Sequence, residues 1–223
     1  MSDQVLVDIA DRVGTVTLNR PERLNTLDHD TLDLLIDALA QVAASDDVGV
    51  VVLAGTGRVF CAGADQAEMV ERAPQEWEPI VRRYLDPVRA IVGMDKPVIA
   101  ALHGDTVGGG LGLALVPDFR VTCPEGRFSA NFTRLGFHPG FGLTHTLPLL
   151  VGQQNATMMM YTGRRIKGEE AVQMGLADVL VPLDQVRSAA MDLAKEIAIS
   201  SPLGVVETRA TMRAGLADRV RAA

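Results

Sequence analysis

The chain has 223 residues, 48% of them hydrophobic and 22% charged, with a net charge of −7. That is enough apolar material for one substantial core, and the acidic balance excludes the basic face a nucleic-acid binder needs against phosphates. Cys61 and Cys123 lack CxxC or zinc spacing, which argues against a disulfide or metal framework and for reduced, cytoplasmic thiols. No uncharged apolar run approaches the roughly 20 residues of a membrane helix, and Met1-Ser2-Asp3-Gln4 carries no basic leader, so no membrane partner is expected.

Residues 5–9 and 13–18 predict a β-hairpin, with Val5, Val7 and Ile9 alternating and Asp11-Arg12-Val13-Gly14 near the turn. Arg20-Pro21-Glu22-Arg23-Leu24-Asn25-Thr26-Leu27 breaks the second strand. A helix follows, capped by Asp30 and carrying Leu32, Leu35, Ile36, Leu39 and Val42 at helical spacing. Asp46-Asp47 ends it, and residues 48–54 are a short apolar run suited to a strand buried on both faces. The alternation continues with a helical region at 77–92, a strand at 98–102, a helix at 109–116 and a strand at 119–122.

From Phe141 the pattern turns mostly helical, with apolar stretches at 147–151, 156–161 and 171–174 and a strand-like 178–181. Pro182 suits the first turn of a helix that places Val186, Ala189, Ala190, Leu193 and Ile197 on one face. Pro202 opens a last amphipathic segment. This divides the chain into a βα core, residues 1–185, and a C-terminal helical region, residues 186–223.

Two stretches carry chemistry. Phe60-Cys61-Ala62-Gly63-Ala64-Asp65 follows one apolar strand, and Lys96-Pro97-Val98-Ile99-Ala100-Ala101-Leu102-His103-Gly104 leads to Gly108-Gly109-Gly110-Leu111-Gly112. Each sets small residues after a β-like run, where bare backbone N–H groups can face a ligand. The glycines could instead serve only close approach of strand and helix. Residues 104–112 contain neither GxGxxG nor Gly-Lys-Ser/Thr, so neither a dinucleotide fingerprint nor a P-loop is present.

This pair of turns, with Leu18-Asn19-Arg20-Pro21, Leu135-Gly136 and Pro139-Gly140, resembles the crotonase superfamily, the enoyl-CoA hydratase/isomerase family, over essentially the whole chain. The resemblance implies an α/β fold, a crotonase-like spiral of ββα units with a helical C-terminal region. It implies an acyl-CoA substrate, with CoA as part of that substrate and no separate cofactor. It assigns the backbone amides of Ala64 and Gly109 as an oxyanion hole for a thioester enolate, and a homotrimer or homohexamer as the assembly. CoA contacts fall on Arg23, Leu24, Ala62, Ala64, Asp65, Gln66, Ala67 and Gly109.

The family's acid/base positions depart from the pattern. Its hydratases use two glutamates, whose places here are Gly112 and Phe132; a carboxylate found slightly later in some isomerases and dehalogenases falls at Gly140. None of these residues can move a proton, which argues against two-glutamate hydration and leaves another lyase or isomerase reaction of fatty-acid type, or a catalytically deficient acyl-CoA binding paralogue. The acid/base candidates that remain are His138, just before Pro139-Gly140, and Glu68. Asp65 fits a structural role better, His145 is expected on a helix, packing inward, and Phe132, Phe137 and Phe141 read as core aromatics or as an acyl pocket. No two of His29, His103, His138 and His145 have metal spacing, so no metal is expected.

Overall fold

The computed structural model describes residues 3–65 and 83–222. Strands β1 (Val5–Ala10) and β2 (Val13–Leu18) form the antiparallel hairpin, with Val5 opposite Leu18 and Ala10 opposite Val13. β3 (Val50–Gly55), β5 (Val98–Leu102), β7 (Phe119–Thr122) and β10 (Val179–Leu180) continue from β2 as parallel neighbours, giving the order β1-β2-β3-β5-β7-β10. A second sheet, β4 (Val59–Cys61), β6 (Asp105–Val107), β8 (Arg127–Ser129) and β9 (Ile166–Lys167), was not foreseen from the sequence. Its strands are too short to show a hydrophobic period.

The uniform apolar run of β3 serves two cores. Val51 and Leu53 face one, with Val16, Leu18, Val98, Ala100 and Leu102; Val50, Val52 and Ala54 face the other, with Val13, Ile99, Ala101 and Val121. The first core is closed by α1 (His29–Ala44), α2 (Asp86–Gly93), α3 (Gly109–Leu115) and α4 (Leu143–Thr162). Behind α4 follow β9 and α5 (Gly168–Gln173). The second core is closed by α6 (Val186–Ala198), through Val186, Ala190 and Ala194. Burying each such Leu or Val contributes about 1.5–3 kcal/mol, so a strand covered on both faces is anchored twice per pleat.

Several boundaries differ from expectation, each for a local reason. The cap of α1 is Asp28, not Asp30: Thr31 N donates to Asp28 Oδ1 at 2.8 Å, and Asp30 lies inside the first turn. Of the helical region at 77–92, only its later part falls within the described residues, as α2. α4 bends at Gly152, whose φ of +75° and ψ of 161° leave the helical region. Pro182 precedes a short 3-10 turn, Leu183–Gln185, before α6 starts. The last segment is two helices, α7 (Pro202–Met212) and α8 (Leu216–Ala222), parted at Gly215 with φ +73°.

Candidate functional site

The second sheet positions the two small-residue turns. β4 runs parallel to β6, with Cys61 beside Thr106, so both chains leave the sheet on the same side. The turn after β4 is tied to the loop after β2. Ala62 N donates to Leu24 O at 3.1 Å, Leu27 N to Gly63 O at 2.8 Å, and Asp65 N to Leu27 O at 2.9 Å. These bonds bracket Ala64, whose own N–H has no acceptor among the described residues.

The turn after β6 is held by Gly108 N, which donates to Ser129 O at 2.9 Å, and by Gly112 N, which closes the first turn of α3 on Gly108 O at 3.1 Å. Gly109, the first residue of that helix, keeps its N–H without an acceptor among the described residues, as first-turn amides do. The turns touch. A Cβ on Gly63 would lie 2.9 Å from Val107 O and 3.2 Å from Gly109 N, so only glycine allows the approach, and Gly63 also has φ +97°.

Asn25 fixes this arrangement from behind and had no signal in the sequence beyond its place in a strand break. It is 1% exposed with φ +51°, a backbone state asparagine tolerates. Its Oδ1 accepts from Arg20 N at 2.8 Å, and its Nδ2 faces the carbonyls of Thr56, Val59 and Phe60 at 2.9, 3.0 and 3.1 Å. The side chain thereby fastens β4 to the loop that brackets Ala64. Nearby, Arg20 pairs with Asp28 and donates to Thr26 O and Thr31 Oγ1. Burial opposes the charge on Asp28, but the hydrogen bonds from Thr31 and the Arg20 guanidinium outweigh it and hold the carboxyl below its ordinary range.

Aromatic rings flank the turns. Phe141, 7% exposed, lies against α3: a Cβ on Gly109 would be 2.4 Å from its Cζ, and a Cβ on Gly112 would be 2.3 Å from its Cβ. Phe132 is half-buried, its Cζ 4.0 Å from where a Gly108 Cβ would stand, with Asn131 Oδ1 at 3.2 Å from the same point. Tyr84 packs on Phe141 with ring centroids 5.5 Å apart, and its hydroxyl donates to Leu27 O at 3.3 Å. Neither Tyr84 nor the contact of Phe141 with Gly112 was signalled by sequence spacing.

The other predicted residues scatter. Asp65 accepts from Thr26 Oγ1 at 3.1 Å, in keeping with a structural role. Arg23 is exposed at the end of a 3-10 turn, Leu24 is half-buried with φ +55°, and Gly140 is half-buried without a side chain to offer. His138 is exposed. His145 does not pack fully inward: it is half-buried on α4 and accepts from Arg219 Nε at 3.2 Å. Phe137, 41% exposed, is no core aromatic. Gln66, Ala67 and Glu68 lie outside the described residues. Burial pushes the Cys61 thiol up to about 12 and so removes it as a nucleophile.

A cavity of about 820 Å³ lies elsewhere, at the starting ends of β5 and β7 and under α7 and α8. It shares no lining residue with the turns. Asp118 anchors it, accepting from Val98 N at 2.8 Å, Arg209 Nε at 2.9 Å and Arg213 Nη1 at 2.6 Å. Burial lowers the pKa of Arg120 and Arg213, opposed chiefly by Asp178 for the first and by Asp118 for the second. Among the described residues no helix is long and apolar enough to cross a membrane, and no three His, Cys, Asp or Glu side chains form a metal-binding group.

Comparison with known proteins agrees with this architecture. The model of the family described as enoyl-CoA hydratase/isomerase matches residues 8–223. The short-chain-enoyl-CoA hydratase of Clostridium acetobutylicum is 32% identical over 96% of this chain and 82% of its own length. The (E)-benzylidenesuccinyl-CoA hydratase of Thauera aromatica is 34% identical over 92% of this chain and 80% of its own. The crystal structure of an enoyl-CoA hydratase from Bacillus anthracis superposes with a TM-score of 0.92 at 32% identity, covering 96% of this chain and 83% of that one.

Proposed function

The chain belongs to the enoyl-CoA hydratase/isomerase family, and from that premise we propose that it binds an acyl-CoA thioester and stabilises the thioester's enolate with the backbone amides of Ala64 and Gly109. The observation that carries the reading is the meeting of two turns in which the N–H groups of Ala64 and Gly109 both lack an acceptor among the described residues, with Gly109 N 3.2 Å from where a Cβ on Gly63 would stand. Removing an α-proton, or adding to the β-carbon, places negative charge on the thioester oxygen. A preorganised donor aimed at such an oxygen lowers the barrier by about 2.7–4 kcal/mol, because the donor needs no reorientation as charge develops. Arg23 and Leu24, on the loop tied to Ala62, supply the contact to the CoA moiety.

Proton transfer falls to a group other than the family's two glutamates. Positions 112, 132 and 140 hold Gly, Phe and Gly, and each missing acid or base forfeits about 10²–10⁴-fold in a hydration. His138 and Glu68 are the candidates, and the reaction is an isomerisation or lyase step rather than two-glutamate hydration. A trimer or pair of trimers is part of the same proposal. The second reading, an acyl-CoA binder without turnover, draws on the same three positions.

The test is exchange of α-protons in deuterated water, followed by mass spectrometry, on acetyl-, butanoyl- and crotonyl-CoA. The enzyme reading expects exchange above the buffer rate for at least one ester, with crotonyl-CoA hydration far slower than exchange. Binding of all three without exchange would establish the turnover-deficient reading, and no binding would remove both.

A further inference from the structure

We propose that Phe141 is the specificity-determining residue of this site, a ring that fills the space beside the Gly109 amide and restricts the acyl group to a slim one. The proposal rests on the acyl-CoA reading above. Its basis is a mutual fit across two distant parts of the chain. Gly109 and Gly112 are three apart on α3 and therefore share one face. On that face lies Phe141, so close that a Cβ at either glycine would stand 2.4 or 2.3 Å from its atoms. Those glycines are the groove and the ring is the occupant.

The ring is held there at a local cost. Phe141 has φ +59°, which a bulky side chain seldom adopts, and Gly142 follows it with φ +69°. This double left-handed step turns the chain back toward α3 so that the ring enters the core, where Tyr84 covers it at 5.5 Å. Two consequences follow for a thioester seated on the amides of Ala64 and Gly109. The α3 side of the pocket carries no carboxylate, and has no room for one while the ring remains. Near Gly108 the neighbours are Asn131 Oδ1 and the Phe132 ring, 3.2 and 4.0 Å from where a Cβ would stand, and neither is a carboxylate. The acyl group beside the Gly109 amide thus meets the Phe141 ring, where a slim acyl chain fits and a branched or ring-bearing one collides.

The test measures Kd by titration calorimetry for CoA, butanoyl-CoA and benzoyl-CoA with the native protein, Phe141→Leu and Phe141→Gly. Glycine suits the left-handed backbone, and the space it opens matches a phenyl ring. The ratio of benzoyl- to butanoyl-CoA affinity should rise about tenfold or more in Phe141→Gly and by less in Phe141→Leu, as pocket-size changes of this kind do, while the affinity for CoA stays the same. A ratio that does not move in a folded variant overturns the assignment of Phe141 and leaves the acyl-CoA reading standing. If Phe141→Gly does not fold, Phe141→Leu decides by the same ratio. Failure of the native protein to bind either thioester sinks both proposals.

Discussion

The turn pair and the cavity under α7 and α8 differ in construction. The cavity is large, its walls carry Arg120, Arg209, Arg213 and Arg219, and Asp118 gathers two of these guanidinium groups. The turn pair offers backbone N–H groups, with the rings of Phe141 and Phe132 and the Asn131 amide beside them. Size would send attention to the cavity, yet its arginines are spent on structure: Arg209 bonds Asp118 and the carbonyls of Ile91 and Met94, fastening α7 to the end of α2 and to the residue before β7. The lesson is that a guanidinium already committed to carboxylates and carbonyls has little left for a ligand, whereas an amide without an acceptor has its full donor capacity.

The contrast breaks most sharply at Gly109. Replacing its amide by an ester, with glycolate at that position, removes the N–H without adding a Cβ that would strike Phe141. Exchange of α-protons should then fall about 10²–10³-fold, the loss expected for one donor, with the unfolding midpoint little changed. Substitution by proline would confuse the result, since its ring must also displace Phe141. Exchange at the native rate in the ester variant would show that this amide is not a donor.

At the cavity the expected response is the reverse. Asp118→Asn keeps the shape but leaves Arg209 and Arg213 facing each other, side chains 8% and 15% exposed, without a counter-charge. Stability in urea should drop by about 3 kcal/mol or more, as when a buried ion pair loses one partner. Affinity for an acyl-CoA should not change, because no residue is shared with the turns. A stable variant with weakened thioester binding would reverse the roles assigned to the two regions.

The smallest effect belongs to the support behind the turns. Asp28→Ala removes the α1 cap and the partner of Arg20, and should cost about 1 kcal/mol at neutral pH. Because the folded-state pKa of Asp28 lies below its ordinary 3.8, its stabilisation is complete above that value and is lost as pH falls through the folded-state one. The stability gap between native and variant, measured by urea unfolding, should therefore be full at pH 6 and close in the acid range; a gap constant with pH would count against an ionic role.

The linear sequence was enough for the hairpin, because Val5, Val7 and Ile9 alternate, and for β3 and β5, because uninterrupted apolar runs suit strands covered on both faces. The turns were legible too, since only small residues let bare amides reach a ligand, and with them came the family. The second sheet was hidden because strands of two or three residues carry no period. The Asp28 cap was hidden because Asp28 and Asp30 are equally good caps by composition, and the choice was made by Arg20 and Thr31. The family resemblance makes Gly112 an expected acid/base place, a reading that only a proposal carries, while nothing in the sequence marks it as the floor beneath Phe141. That contact depends on a positive φ at Phe141 and on the bend that brings the start of α4 back onto α3, and distance in space is settled only when the chain packs.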